Sequence, residues 1–332
     1  MEEGIVRQII ADFCPIENIG DIRVTADRIL VEIKNTAENV DLTRQIKEKL
    51  QQEQQNVRIS VIFTEEKNVN LSVQSMEKWH LQNVKKIIGV ASGKGGVGKS
   101  TTAVNLALAL ANFGKKVALL DADIYGPSVP TMLGYEGEPL RSSDGKIFEP
   151  FENYGVKSTS VGALIDRDTP LVWRGAKACG AIEQLLRETN WGEIDVMVID
   201  MPPGTGDIQI TLSQRVEFDG IVIVSTPQDI ALIDAVKGVN MFEKTGVPII
   251  GIIENMSYFV CPHCGKKSDI FAHNGAKETA ERMGENFLGA IPLEINIRIC
   301  SDNGAPIVAA EPDSEHTKSY EDIAQKIIQR IG

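Results

Sequence analysis

Nine consecutive residues, Gly93-Lys94-Gly95-Gly96-Val97-Gly98-Lys99-Ser100-Thr101, limit this chain's options more than any other segment. They lie between an apolar run over 87–91 and a helical pattern over 102–113, and they fit Gly-x4-Gly-Lys-Ser/Thr. In a strand–loop–helix context the pattern has a physical reading. Glycines let successive backbone N–H groups close around phosphate oxygens at the positive end of the following helix. Lys99 is placed to reach the β- and γ-phosphates of a nucleotide, and the Ser100 hydroxyl to ligate Mg²⁺.

Further apolar runs at 117–120, 196–199, 221–224 and 249–253 alternate with helical patterns at 176–189, 230–244 and 276–283. Strands that are apolar throughout are buried on both faces, which predicts a mostly parallel sheet flanked by helices. Residues 1–67 read differently. Strand-like segments at 21–25, 28–33 and 57–63 surround a helical pattern with Leu42, Ile46 and Leu50 on one face, which predicts a small α+β domain. The polar stretch 68–86 is expected to be a linker and 87–332 the main domain, in keeping with about two domains for 332 residues.

Charge removes some functions. With 34 basic and 46 acidic residues the net charge is −12, which argues against broad electrostatic attraction to nucleic acid or to anionic membrane. No apolar run approaches the roughly 18 residues that span a bilayer, and Met-Glu-Glu-Gly lacks the layout of a signal peptide. A cytoplasmic protein with no membrane or nucleic-acid partner is expected. Five cysteines, an odd number, make a disulfide framework improbable. Cys14, Cys179 and Cys300 are isolated and are expected to be small buried hydrophobes.

Lys94 is a second lysine inside the glycine loop. Unless it is simply a solvated loop lysine, Lys-Gly-Gly-x-Gly-Lys resembles the deviant Walker A form of the MinD/ParA/nitrogenase-reductase group of P-loop ATPases. That resemblance implies a P-loop NTPase fold and a homodimer in which Lys94 crosses to the partner's nucleotide, so that Lys94 and Lys99 both serve hydrolysis. It also gives roles to the carboxylates that end two apolar strands. In Leu120-Asp121-Ala122-Asp123, Asp123 matches the residue that orients attacking water, and Asp121 supports Mg²⁺ through water; otherwise the two acids cap the next turn. Asp200, ending Asp195-Val-Met-Val-Ile-Asp200-Met-Pro-Pro-Gly204, reads as the carboxylate that holds Mg²⁺ through water, with Gly204 N–H sensing the γ-phosphate. Asn255 matches the adenine-contacting position, though a turn asparagine is the plainer alternative, and Pro292 lies in a segment similar to the loop flanking the base.

Cys261 and Cys264 form a Cys-x-x-Cys shortly after Glu254-Asn255-Met256-Ser257. Two thiolates bind one edge of a metal or cluster and cannot complete it, because a [4Fe–4S] cluster takes four. Together with Asp-Met-Pro-Pro-Gly-Thr-Gly-Asp, these motifs resemble the Mrp family of iron–sulfur cluster carrier ATPases over essentially all of 87–332. The resemblance implies ATP and Mg²⁺ as cofactors, a [4Fe–4S] cluster bridging a homodimer, and transfer to apo iron–sulfur client proteins alongside cluster assembly machinery. A zinc site using His263 or His273 is the competing reading of the cysteines. A ParA/MinD-like positioning ATPase and an ATP-gated cluster reductase are the competing readings of the function. The front domain resembles the small domain that often precedes this ATPase, but Asn35-Thr-Ala-Glu-Asn-Val stands where a reactive cysteine beside a proline is usual. Cys14-Pro15 lies elsewhere. An interaction or docking role fits the front domain better than a second cluster site.

Overall fold

The computed structural model describes residues 3–24, 28–34, 40–53, 57–64, 78–142, 145–164 and 175–332. The segment 35–39 and residues 68–77 of the expected linker lie outside the described residues. Internal contacts divide the chain into residues 1–72 and 73–332.

In the first unit, helix α1 (Glu3–Ile10) precedes strands β1 (Ile19–Val24) and β2 (Arg28–Lys34), then helix α2 (Val40–Glu53) and strand β3 (Arg58–Thr64). β1 pairs antiparallel and β3 parallel with β2. Val6 and Ile10 of α1 and Ile46 and Leu50 of α2 pack against Ile29, Val31 and Ile33. Helix α1 is additional to the expected elements, because its eight residues span too few turns to show a clear apolar period.

The second unit is built on an eight-stranded sheet. Its strands are β4 (Val84–Ala91), β5 (Val117–Asp121), β6 (Phe151–Asn153), β7 (Val156–Ser160), β8 (Ile194–Asp200), β9 (Gly220–Ser225), β10 (Ile249–Glu254) and β11 (Phe287–Ala290). Their order is β11-β10-β9-β4-β8-β5-β7-β6, parallel except at the β6/β7 edge. Alternate residues explain the unbroken apolar runs. Ile88, Val90, Leu119, Val198 and Val222 face a core shared with helix α3 (Lys99–Asn112). Ile87, Ala118, Leu120, Ile199 and Ile223 face the opposite core, shared with helices α4 (Gly175–Arg187) and α6 (Asp229–Lys244). Helix α5 (Asp207–Arg215) follows β8, α7 (Gly275–Met283) precedes β11, and α8 (Ile295–Asp302) follows it. The tail helix α9 (Glu315–Ile331) buries Tyr320, Ile323, Ala324 and Ile327 and packs on α3. Among the described residues no helix is long and apolar enough to cross a membrane.

Parallel pairing brings the strand C-termini to one edge of the sheet. Asp200 stands in register with both Asp121 and Val90, and Glu254 with Ser225 and Ala290. Acids far apart in sequence therefore become neighbours beside the glycine loop, where ligand loops of an open α/β sheet belong.

Candidate functional site

The loop from Ser92 to Gly98 leaves β4 and turns into α3, whose N-cap, Gly98, has φ +79°. Two of its glycines are required by what lies against them. A Cβ on Gly93 would stand 1.9 Å from the carbonyl oxygen of Asp234 in α6, and one on Gly98 would stand 2.1 Å from Asn255 Nδ2. The Ser92 hydroxyl donates to the Lys94 carbonyl at 2.9 Å, and Thr102 N and Oγ1 both donate to the Gly98 carbonyl. Gly95 and Gly96 are exposed, Val97 is buried, and Ser100 and Thr101 lie in the first turn of α3. The loop thus offers its backbone at the positive end of a helix, which is an anion site. Lys94 is half-buried and has no ion pair among the described residues.

Lys99 is 6 % exposed and meets the acids directly. Its Nζ donates to Asp200 Oδ1 and to the Ser100 hydroxyl (3.1 Å), and it stands 3.9 Å from Asp123 Oδ2. Asp200 is fully buried, and its second oxygen, Oδ2, has no hydrogen-bond partner. Burial drives its carboxyl above the ordinary range, opposed by Lys99 and by the Ser100 hydroxyl. A buried carboxylate oxygen without a donor, next to a serine hydroxyl, is a donor set that suits Mg²⁺, which accepts few protein oxygens and keeps its waters.

Asp121 has another occupation. Its Oδ1 accepts from Asp123 N at 3.0 Å, and its Oδ2 accepts from Ser128 N (3.1 Å), Val129 N (3.2 Å) and Ser160 Oγ (3.0 Å). Four donors brace the segment that carries Asp123. Burial, then the charge of Asp200, push the Asp121 carboxyl up to about 7. After β8, Gly204 (φ +90°) donates its N–H to the Ser92 carbonyl at 2.9 Å, so the group expected to sense a γ-phosphate is held by the loop itself.

Asn255 is 7 % exposed and donates Nδ2 to the Val97 carbonyl at 2.8 Å. This bond braces the phosphate loop and leaves Oδ1 and the second Nδ2 hydrogen without a partner among the described residues. Pro292 is buried, and its neighbour Ile291 joins the same turn, donating to the Glu254 carbonyl and accepting from Ser257 N.

Cys261 and Cys264 sit at the tip of a small antiparallel ribbon, with Phe259 opposite Ser268 and Val260 opposite Lys267. Cys261 N donates to the Lys266 carbonyl (3.0 Å) and Gly265 N to the Cys261 carbonyl (2.8 Å), a tight knuckle that requires Gly265 at φ +68°. Cys264 is exposed and Cys261 half-buried. The backbone N–H groups of His263 and Cys264, with the Cys264 thiol, hold the Cys261 thiol below its ordinary value, favouring the thiolate that binds metal. Among the described residues no third His, Cys, Asp or Glu completes a metal-holding group with them. His273 is paired instead with Asp269 at 3.4 Å. Cys14, Cys179 and Cys300 are half-buried free thiols, more accessible than their isolation suggested.

Four residues to which the motifs assign no role brace these segments: Ser92 and Ser160 hold the Lys94 carbonyl and Asp121, and Glu254 and Ser257 hold the two ends of the cysteine-bearing segment. Glu254 carried a usable signal, being an acid that ends an apolar strand, as Asp121 and Asp200 do.

A family model described as ParA, NUBPL iron-transfer P-loop NTPase, matches residues 83–328. The chain is 54% identical over 252 residues to the iron–sulfur protein required for NADH dehydrogenase, mitochondrial, of Arabidopsis thaliana, covering 76% of this chain and 80% of that protein. It is 51% identical over 251 residues to the iron–sulfur cluster carrier protein of Escherichia coli K12, covering 76% of this chain and 68% of the other. Among solved structures it is similar to a nucleotide-binding protein in complex with ADP from Archaeoglobus fulgidus, at TM-score 0.62 and 37% identity, covering 72% of this chain and 93% of that one. The cell division ATPase MinD of Pyrococcus furiosus, at TM-score 0.56 and 24% identity, covering 74% of this chain and 98% of its own, shares the fold.

Proposed function

Because this chain belongs to the ParA family of NUBPL-type iron-transfer P-loop NTPases, we propose that it is an ATP-hydrolysing carrier that holds a cluster at Cys261 and Cys264 and delivers it to apoproteins. The observation that carries this reading is the cysteine knuckle, which offers two accessible thiols and, among the described residues, no third ligand. Two such edges, one from each protomer of a two-fold homodimer, make the four thiolates of a [4Fe–4S] cluster. An exposed, half-built site suits cargo that must leave. The same incompleteness disfavours a zinc site within one chain.

At the nucleotide end, the amides of Gly93 to Thr101 receive the phosphates. Lys99 turns from Asp200 to the phosphate oxygens, which frees Asp200 and the Ser100 hydroxyl to hold Mg²⁺. When bound, that ion neutralises phosphate charge. Asp123, fixed by Asp121, orients the attacking water, and Lys94 reaches across the dimer to the partner's nucleotide as a charge supplied in trans. Gly204 must release Ser92 to meet a γ-phosphate, which makes that segment sensitive to ATP against ADP. Asn255 Oδ1 and the Pro292 segment flank the base. Apo iron–sulfur proteins and the assembly machinery are the partners in this reading, and the compartment is the cytoplasm.

Loaded protein mixed with an apo-ferredoxin tests this. Appearance of holo-ferredoxin at the rate of cluster loss supports a carrier. Reduction of an acceptor with the cluster retained would establish the reductase alternative. ATP-dependent co-sedimentation with liposomes or DNA would establish a positioning ATPase.

A further inference from the structure

Glu254 ends β10 with its side chain fully buried, and among the described residues no cation pairs with it. A buried carboxylate without a counter-ion costs several kcal/mol unless hydrogen bonds and a favourable potential offset it. Here Oε1 accepts from the Ser257 hydroxyl at 2.5 Å, and Oε2 accepts from the Ala276 backbone N–H at 2.7 Å, in the first turn of α7. The positive end of α7 supplies the potential.

What these two donors bracket is the cysteine knuckle. Ser257 precedes Cys261 and Ala276 follows Cys264, so one carboxylate ties both ends of the segment that carries the thiols. The adjacent residue, Asn255, donates to the Val97 carbonyl of the phosphate loop and fills the space that Gly98 leaves by lacking a Cβ. Met256 between them is held at φ +54°, and Ser257 N donates to the Ile291 carbonyl at 2.9 Å. Glu254, Asn255 and Ser257 of this turn each hold a side-chain hydrogen bond, which ties the turn to the phosphate loop on one side and to α7 on the other.

We propose that Glu254 is a positioning residue for Cys261 and Cys264, and that the 254–257 turn transmits the state of the phosphate loop to them. The inference deepens the carrier reading and rests on it for the purpose of the knuckle, but not for its movement. When the loop closes on a phosphate, the Val97 carbonyl shifts and takes the Asn255 amide with it. Glu254, one peptide away, then re-aims the Ser257 hydroxyl and the start of α7, and the knuckle between them turns. Energetic coupling of this kind can be carried by a contiguous hydrogen-bond network, and these bonds run without a break from Val97 through Asn255 and Glu254 to Ser257 and Ala276.

The test uses thiol alkylation, which needs no cluster. The rate of Cys261 modification by iodoacetamide is measured in full-length protein with and without Mg²⁺ and a non-hydrolysable ATP analogue, at saturation. In wild type the nucleotide should change the rate by about fivefold or more, the lower range of a typical coupling. Ser257→Ala and Glu254→Ala should reduce that change to less than about twofold while each still binds the analogue. Glu254→Gln should retain it, because a turned amide accepts from Ala276 N and donates to the Ser257 hydroxyl. Should Glu254→Ala not fold, Ser257→Ala carries the test. A wild-type rate indifferent to nucleotide, or a change preserved in Ser257→Ala, overturns the inference. Nucleotide-dependent alkylation in a protein that binds no iron upholds the coupling and defeats the carrier reading instead.

Discussion

The backbone N–H of Gly204 donates to the carbonyl of Ser92 at 2.9 Å, fastening the segment after β8 to the first residue of the phosphate loop. In the proposed cycle this fastening opens so that the Gly204 N–H can meet a γ-phosphate. A Cβ at Gly204 meets nothing within 4 Å, but its φ of +90° is strained for any side chain. Gly204→Ala should therefore fold with a loss of about 1–2 kcal/mol and bind ADP. Its ATP turnover should fall well below wild type, because the N–H no longer swings freely. Melting curves with ADP and steady-state phosphate release check this, and unchanged turnover contradicts it.

Lys99, 6 % exposed, forms an ion pair with the fully buried Asp200. Lys99→Met leaves a buried carboxylate uncompensated, which should cost about 3 kcal/mol near neutral pH. Asp200 already titrates high, and removing the cation raises it further, so the cost should shrink as acid protonates it. Urea denaturation at pH 8 and pH 5.5 measures both. A penalty independent of pH would mean that the pair is not the source.

Asp121, pushed up to about 7 from an ordinary 3.8, keeps a proton in the folded, nucleotide-free protein that the unfolded chain has already released. Its stabilising contribution is complete below the unfolded value and is lost as pH rises to about 7. Asp121→Asn cannot titrate. The difference in stability between wild type and Asp121→Asn should therefore move against wild type from pH 4 towards pH 7, roughly, and level off above it. A flat difference would show that Asp121 titrates normally.

Lys94 has no ion pair among the described residues, and the proposed role directs it to the partner's nucleotide. Lys94→Ala should bind ATP with near wild-type affinity and lose turnover on the order of 10³-fold, the scale of a charge supplied in trans. Mixing it with a Lys99→Met partner distinguishes trans from cis action. In heterodimers the intact Lys94 serves the site that still has Lys99, only if the dimer forms across the nucleotides. Lys94→Ala turnover equal to wild type contradicts the role.

Much of this site was legible in the chain because its parts end strands. Runs such as Val196–Ile199 are apolar on both faces, so the acid that breaks each run, Asp121 or Asp200, marks the sheet edge where loops gather. The register that sets Asp121 beside Asp200 was not legible, because the order of parallel strands depends on crossovers rather than on local pattern. Strands β6, β7 and β11 went unread for a related reason. They are short elements at or next to the sheet edges, with polar or glycine positions, such as Lys157 and Gly289, that blunt the apolar signal. Asn255 illustrates a further limit. Its residue type suits a base edge or a backbone carbonyl equally, and only the approach of Val97 shows that one amide donor is already engaged.

Anaerobic iron and sulfide analysis of wild type beside Cys261→Ser tests the carrier account most directly. The account predicts about four iron and four sulfide per wild-type dimer, and loss of both in Cys261→Ser. Stoichiometric zinc in wild type, or iron and sulfide retained in Cys261→Ser, would contradict it.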